Sequence, residues 1–193
     1  MSQYHLWANT RLFVSHVSKL SDAEYFGAAG DSLFFRSVHG TLVHIAVADK
    51  LWLTRLTSGG QSGAEHLWAD SATAADTEKF IPDRAEITAA LLQGSKDLQA
   101  YVATLTDANA VESFAYRNTS NKEMSAVRSI ILTHVFNHGT HHRGQISVSQ
   151  ASALICTLVL SSLDLTLLRR CVCCFRLHFV SSAIALRSLT CST

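Results

Sequence analysis

Cysteine is missing from the first 150 residues of this 193-residue chain, and all five (Cys156, Cys171, Cys173, Cys174 and Cys191) fall in the last 43. An odd number confined to one end is unlike the disulfide framework of a secreted domain. The N-terminus, Met1-Ser-Gln-Tyr-His-Leu-Trp-Ala-Asn9, lacks a charged segment followed by an apolar run, so no secretory signal is read there and a cytoplasmic location is expected. Charge is scarce at 16%, against about 25% in an average soluble protein, and the formal net charge is +1. No basic footprint recommends nucleic acid as a partner. Also absent are G-x-G-x-x-G and Walker loops, which leaves nucleotides unimplicated, and the G-x-S-x-G elbow of serine hydrolases. No internal repeat is visible.

What is present reads as helix. Tyr4, Leu6, Trp7, Leu12, Phe13 and Val17 predict an amphipathic helix over residues 3–20. Ser21-Asp-Ala-Glu24 has the form of a capping box, and a break follows at Gly27 to Gly30. Apolar positions from Leu33 to Leu56 repeat at helical spacing, predicting a long helix over 32–57 with a glycine stop at Gly59-Gly60. Residues 58–82, closed by the only proline, Pro82, read as a surface loop that Trp68 pins down. Asp83 caps a third helix to about Thr106. A short hairpin or extended connection fits 111–122, and a fourth helix starts at Met124 or Ser125 and ends near Ala151. Four helices joined by polar loops predict an all-α protein, an antiparallel four-helix bundle with facing helices on which a metal site is readily built.

The fourth helix carries the densest chemistry: His134, His138, His141 and His142 within Thr133-His-Val-Phe-Asn-His-Gly-Thr-His-His-Arg-Gly-Gln145. At about 100° per residue they share one arc with Val127, Ile130, Ile131, Val135 and Gln145. Imidazoles on an apolar face need a partner, and a divalent ion supplies one because neutral imidazole is the commonest protein metal ligand. A reactive metal needs at least three protein ligands and an open position. His138 and His142 supply two, and His44, midway along the second helix among core-type residues, is the choice for the third. Spacing alone does not separate His138 with His142 from His134 with His138. Gly139 removes the glutamate of H-E-x-x-H, and E-x-x-H occurs nowhere, which disfavours zinc proteases and di-iron carboxylate bundles.

Residues 151–193 differ in character from 1–150. Of these 43 residues 22 are Leu, Ser or Cys, and a single acid, Asp164, faces Arg169, Arg170, Arg176 and Arg187. Ala151 to Leu168 is interrupted by Asp164 and by hydroxyls, so no membrane span is expected. The lone Cys171-x-x-Cys174 has no partner pair for zinc. The expected organisation is a metal-binding domain at 1–150 and an atypical tail at 151–193 that is not native to the domain.

Three segments, Tyr4-His-Leu-Trp-Ala-Asn-Thr-Arg-Leu12, His39 to Arg55, and His134-Val-Phe-Asn-His-Gly-Thr-His-His-Arg-Gly-Gln145, resemble in order and spacing the DinB/YfiT-like family of metalloenzymes. The H-x-x-x-H-R-G-Q block is the specific part. The resemblance implies a four-helix bundle, commonly a homodimer, in which three histidines hold a divalent metal. Carried over residue by residue, the ligands are His44, His138 and His142. Some relatives are S-transferases that use low-molecular-weight thiols, and others are hydrolase-like.

The expected function is therefore a cytoplasmic metal-dependent enzyme of the thiol S-transferase type. Zinc, nickel or iron would be the ion and a small molecule the substrate. A metal-dependent hydrolase and a non-catalytic structural or sensory metal module are the alternatives. Tyr4, Trp7 and Trp52 are expected around the cavity, Arg143 or Asp49 behind the ligands, and His134 and His141 in support.

Overall fold

The structure, a computed structural model, describes residues 1–27, 33, 35–61 and 83–162. Helix α1 (Ser2–Ser15) stops short of the predicted residue 20 because His16 leaves helical geometry at φ −127°, and a tighter 3-10 turn, Val17–Lys19, follows. Ser21 then caps the short α2 (Asp22–Phe26). Its hydroxyl accepts from the Glu24 amide, and the Glu24 carboxylate accepts from the Ser21 amide at 2.8 Å, the reciprocal box anticipated from S-x-x-E.

Helix α3 (Val38–Thr57) begins later than the predicted Ser32. Arg36 sits at φ +65°, a left-handed conformation that no helix continues through. Ser37 is extended, and its hydroxyl accepts from the Gly40 amide at 2.9 Å. Leu33 and Phe35 are buried, but as the approach to the helix rather than its first turn. At the other end Gly60, at φ +90°, donates to Arg55 O at 2.8 Å and accepts from the Arg117 amide at 3.2 Å. A Cβ there would lie 2.0 Å from Ala115 O, so the glycine stop is also where the hairpin meets the end of α3. The predicted loop lies outside the described residues from position 62 to 82, Trp68 and Pro82 included.

Helix α4 (Arg84–Ala103) carries the predicted Asp83 cap, which accepts from the Ala85 and Glu86 amides at 2.7 and 2.9 Å. A short α5 (Asp107–Ala110), capped by Thr106 and Asn109, was not anticipated. Strands β1 (Ser113–Arg117) and β2 (Glu123–Val127) pair antiparallel, with Ser113 opposite Val127 and Arg117 opposite Glu123. The Asn118 side chain shapes the turn by accepting from the Ser120 and Lys122 amides. Helix α6 (Arg128–Ser162) corrects the sequence reading at both ends. Met124 to Val127 are held in the hairpin, and no glycine or proline after Gly144 stops the helix at Ala151.

The described chain is thus mostly helical with one two-stranded hairpin. It divides after Gln150 into two compact units, and the core and the site belong to the first. Helix α4 packs along both α1 and α3. One apolar cluster gathers Leu12, Phe13, Val43, Ile45, Leu91 and Ile146, and a second gathers Leu56, Leu98, Phe114, Ile131, Val135 and Phe136. Where each long helix passes from one end of the core toward the other it carries a buried polar side chain: His5 and Asn9 on α1, Asp49 on α3, Ser95 on α4 and Arg143 on α6. No helix among the described residues is long and apolar enough to cross a membrane.

Candidate metal centre

His44 on α3 meets His138 and His142 on α6. Residues 138 and 142 are one turn apart, so their rings meet edge to face along the helix and both reach His44. His138 Nε2 lies 2.9 Å from His44 Nε2 and 3.1 Å from His142 Nε2. One candidate ligand atom from each of the three lies within 4.8 Å of the others. Phe35 stacks on His44 with centroids 4.0 Å apart and turns its edge to His142, covering that side of the cluster.

Protons cannot account for both short contacts. His142 Nδ1 faces Gln145 Oε1 at 2.7 Å, so its proton sits on Nδ1 and its Nε2 presents a lone pair. His138 Nε2 carries at most one hydrogen, which cannot lie along both short contacts at once. Burial, reinforced by the neighbouring imidazoles, pushes His44 down to about 3 and His138 down to about 4. His142 is lowered too, chiefly by burial and against the pull of Gln145. All three are neutral at pH 7, with their Nε2 atoms directed at one another. Ligand nitrogens about 2.0–2.1 Å from a shared tetrahedral ion stand about 3.3–3.4 Å apart. The two spacings would open by a few tenths of an ångström to admit one. The three histidines are positioned to hold a metal ion, and an all-imidazole set suits zinc, nickel, iron or copper.

The other predicted residues are distributed differently. His134 and His141 are exposed, as is Ile130, so the core face of α6 is centred on Ile131, Val135, Gly139, His142 and Ile146, and the histidine row lies along its edge. His134 lies between His138 and Trp52, with ring centroids 6.1 and 5.8 Å away. Trp52 thus approaches the cluster, among the described residues, only through His134, and it packs on Tyr116 as well. Tyr4 and Trp7 are exposed and line a groove with Thr140, Arg143 and Gly144. Thr140 and Gly144 are on the opposite side of the helix from His138 and His142, and Arg143 is about 100° round from His142, so the two aromatics do not line the cluster. Asp49 and Arg143 bond to His5, not to any of the three histidines. Phe35 and Gln145 complete the cluster. Gln145 had a visible signal, three residues after His142 on the same helix; Phe35 had none.

Three neutral imidazoles converging within a mostly helical fold define the class, a helical protein with a three-histidine centre of the kind that holds a metal ion. The family model of the DinB family matches residues 1–150, and the chain belongs to that family. No curated protein matches the chain at a significant level.

Proposed function

We propose that this protein binds one divalent metal ion through His44, His138 and His142 on an antiparallel four-helix bundle of α1, α3, α4 and α6, and uses it as a thiol-dependent transferase. The observation that carries the metal is the convergence of three neutral ring nitrogens with only one proton available to two contacts. When bound, the ion supplies acidity, favouring the thiolate of a thiol at neutral pH.

The surroundings favour a thiol over water as the nucleophile. The candidate ligand group contains no carboxylate. Asp49, the buried acid of α3, is held by His5, and position 139, where a zinc protease has its glutamate, is a glycine pressed against the His5 ring. A three-histidine ion would itself bring bound water to about 7, but a thiol starts at about 8.5 and needs much less help from the ion or from a neighbouring base to reach its nucleophilic form. The chain's own residues hold the site ready: Gln145 keeps the proton of His142 on Nδ1, and Phe35 shields the ring of His44 from water. The reading includes a small-molecule electrophile and a low-molecular-weight thiol as substrates. It also includes a cytoplasmic setting, a homodimer, and residues 1–150 as the working domain with 151–193 as an appendage, as the family resemblance implies.

Two measurements test it. Elemental analysis of the purified protein should find about one zinc, nickel or iron per chain, and His138→Ala should lose nearly all of it. A variant that keeps its full complement overturns the ligand assignment. Turnover of a small electrophile should depend on added thiol, and full activity without thiol rules out the transferase.

A further inference from the structure

The buried polar layer has a geometry of its own. Arg143 Nη1 donates to Asn9 Oδ1 at 3.0 Å and lies 3.3 Å from His5 Nδ1; Nη2 donates to Thr140 Oγ1 at 3.0 Å. A guanidinium has no acceptor and a carboxylate no donor, so His5 Nδ1 accepts and the ring proton sits on Nε2. That proton is donated to Asp49 Oδ2 at 2.9 Å, which makes the 3.3 Å approach of Asn9 Nδ2 to Nε2 a contact and not a hydrogen bond. On the other side Asn9 Nδ2 donates to Ser95 Oγ at 2.8 Å, and Ser95 donates to Leu91 O at 2.8 Å. The network joins α1, α3, α4 and α6, balances one arginine with one aspartate, and is at most 7% exposed at His5, Asn9, Asp49, Ser95 and Arg143.

Its position matters more than its composition. Along α4 Ser95 separates Leu91 of one apolar cluster from Leu98 of the other, and along α6 Arg143 falls between Phe136 and Ile146. Apolar surfaces tolerate sliding; a chain of directional bonds does not. The layer also interleaves with the metal cluster. Gly139 and Arg143 each follow a candidate ligand by one residue, so they face about 100° around α6 from His138 and His142. His5 rests directly on the backbone there, since a Cβ at Gly139 would lie 2.6 Å from His5 Cε1.

We propose that His5, Asn9, Asp49 and Arg143 are positioning residues for the metal centre. By locking α1 and α3 against the face of α6 next to the ligands, they set the rotation and register at which His138 and His142 meet His44. The inference rests on the metal reading of the three histidines but makes a claim that a metal-free measurement also reads.

The test uses the full-length protein with Asp49→Asn, Asp49→Ala and Asn9→Ala, none of which touches the three histidines. In metal-free protein, the imidazole nitrogen resonances of His138 and His142 are expected to move in all three variants, while exposed His16 stays in place. With cobalt as the probe, affinity should fall about tenfold, and the visible absorption envelope should change shape. Asp49→Asn, which keeps an acceptor for His5 Nε2, should show the smaller change of the Asp49 pair. A role limited to bulk stability would lower the unfolding midpoint and leave the cobalt spectrum and the resonances of the folded protein untouched; that result overturns the proposal. If Asp49→Ala fails to fold by circular dichroism, Asn9→Ala and Asp49→Asn carry the same criteria. Displaced resonances in a protein that binds no cobalt even as wild type would sustain the positioning role and discard the metal reading.

Discussion

At the scale of single residues, His138 is the centre of the cluster, because its Nε2 makes both short contacts while His44 and His142 each make one. Gln145 is its least obvious supporter. By accepting a hydrogen bond from His142 Nδ1 it fixes the tautomer that leaves Nε2 free. Gln145→Leu keeps the volume and removes the acceptor, so cobalt or zinc affinity should fall about 10-fold in a competition titration against a chelating dye, with stoichiometry unchanged. The histidine cluster was legible in the sequence as a row along one helix, but spacing left His134 with His138 as open as His138 with His142, and only the family resemblance picked out His44, His138 and His142. The buried layer was only partly so. Asp49 and Arg143 drew notice as polar residues near ligands, but their actual partner, His5, and the amide of Asn9 lie on α1, and no spacing rule links side chains on different helices.

Among the elements, the ends of helices decide what faces what. Ser37 starts α3 and thereby sets the turn on which His44 sits; without its hydroxyl the Gly40 amide, in a buried setting, loses its acceptor. Ser37→Ala should therefore destabilise the protein by about 1–2 kcal/mol, read from the urea midpoint, while metal stoichiometry is retained. Caps and stops were the part of the fold the sequence showed best: Ser21 with Glu24, Asp83 and Gly59-Gly60 all act where their residue types suggest. Starts that depend on tertiary structure were misplaced. The apolar run from Leu33 has helical spacing, yet Arg36 turns the chain left-handed before Ser37, and Leu33 and Phe35 are buried without being helical. Likewise Met124 to Val127 would suit the first turn of α6, but pairing with Ser113 to Tyr116 satisfies their backbone groups instead.

For the whole molecule, the metal centre places three neutral imidazoles inside a fold that has to stay assembled before any ion arrives. The direction of its pH dependence follows from the depressed values of about 3 for His44 and about 4 for His138, against an ordinary value near 6.5 in the unfolded chain. Between those values the unfolded state binds protons that the folded state refuses, so stability rises with pH. The contribution is complete above about pH 6.5 and is lost progressively as pH falls toward 4 and then 3. Because both rings keep some contact with solvent, the slope for the pair should be on the order of 1 kcal/mol per pH unit below about pH 6. Urea unfolding of chelator-treated protein at pH 7.5, 6.0 and 5.0 checks this, the window stopping before most carboxylates titrate. His138→Gln, which retains a polar side chain but no imidazole, should flatten the slope without abolishing it, since His44 still titrates. Equal midpoints at pH 7.5 and 5.0 in the wild-type protein would mean that the imidazoles take up protons as readily folded as unfolded. The three nitrogens would then not be the preformed neutral donor set on which metal binding at this site depends.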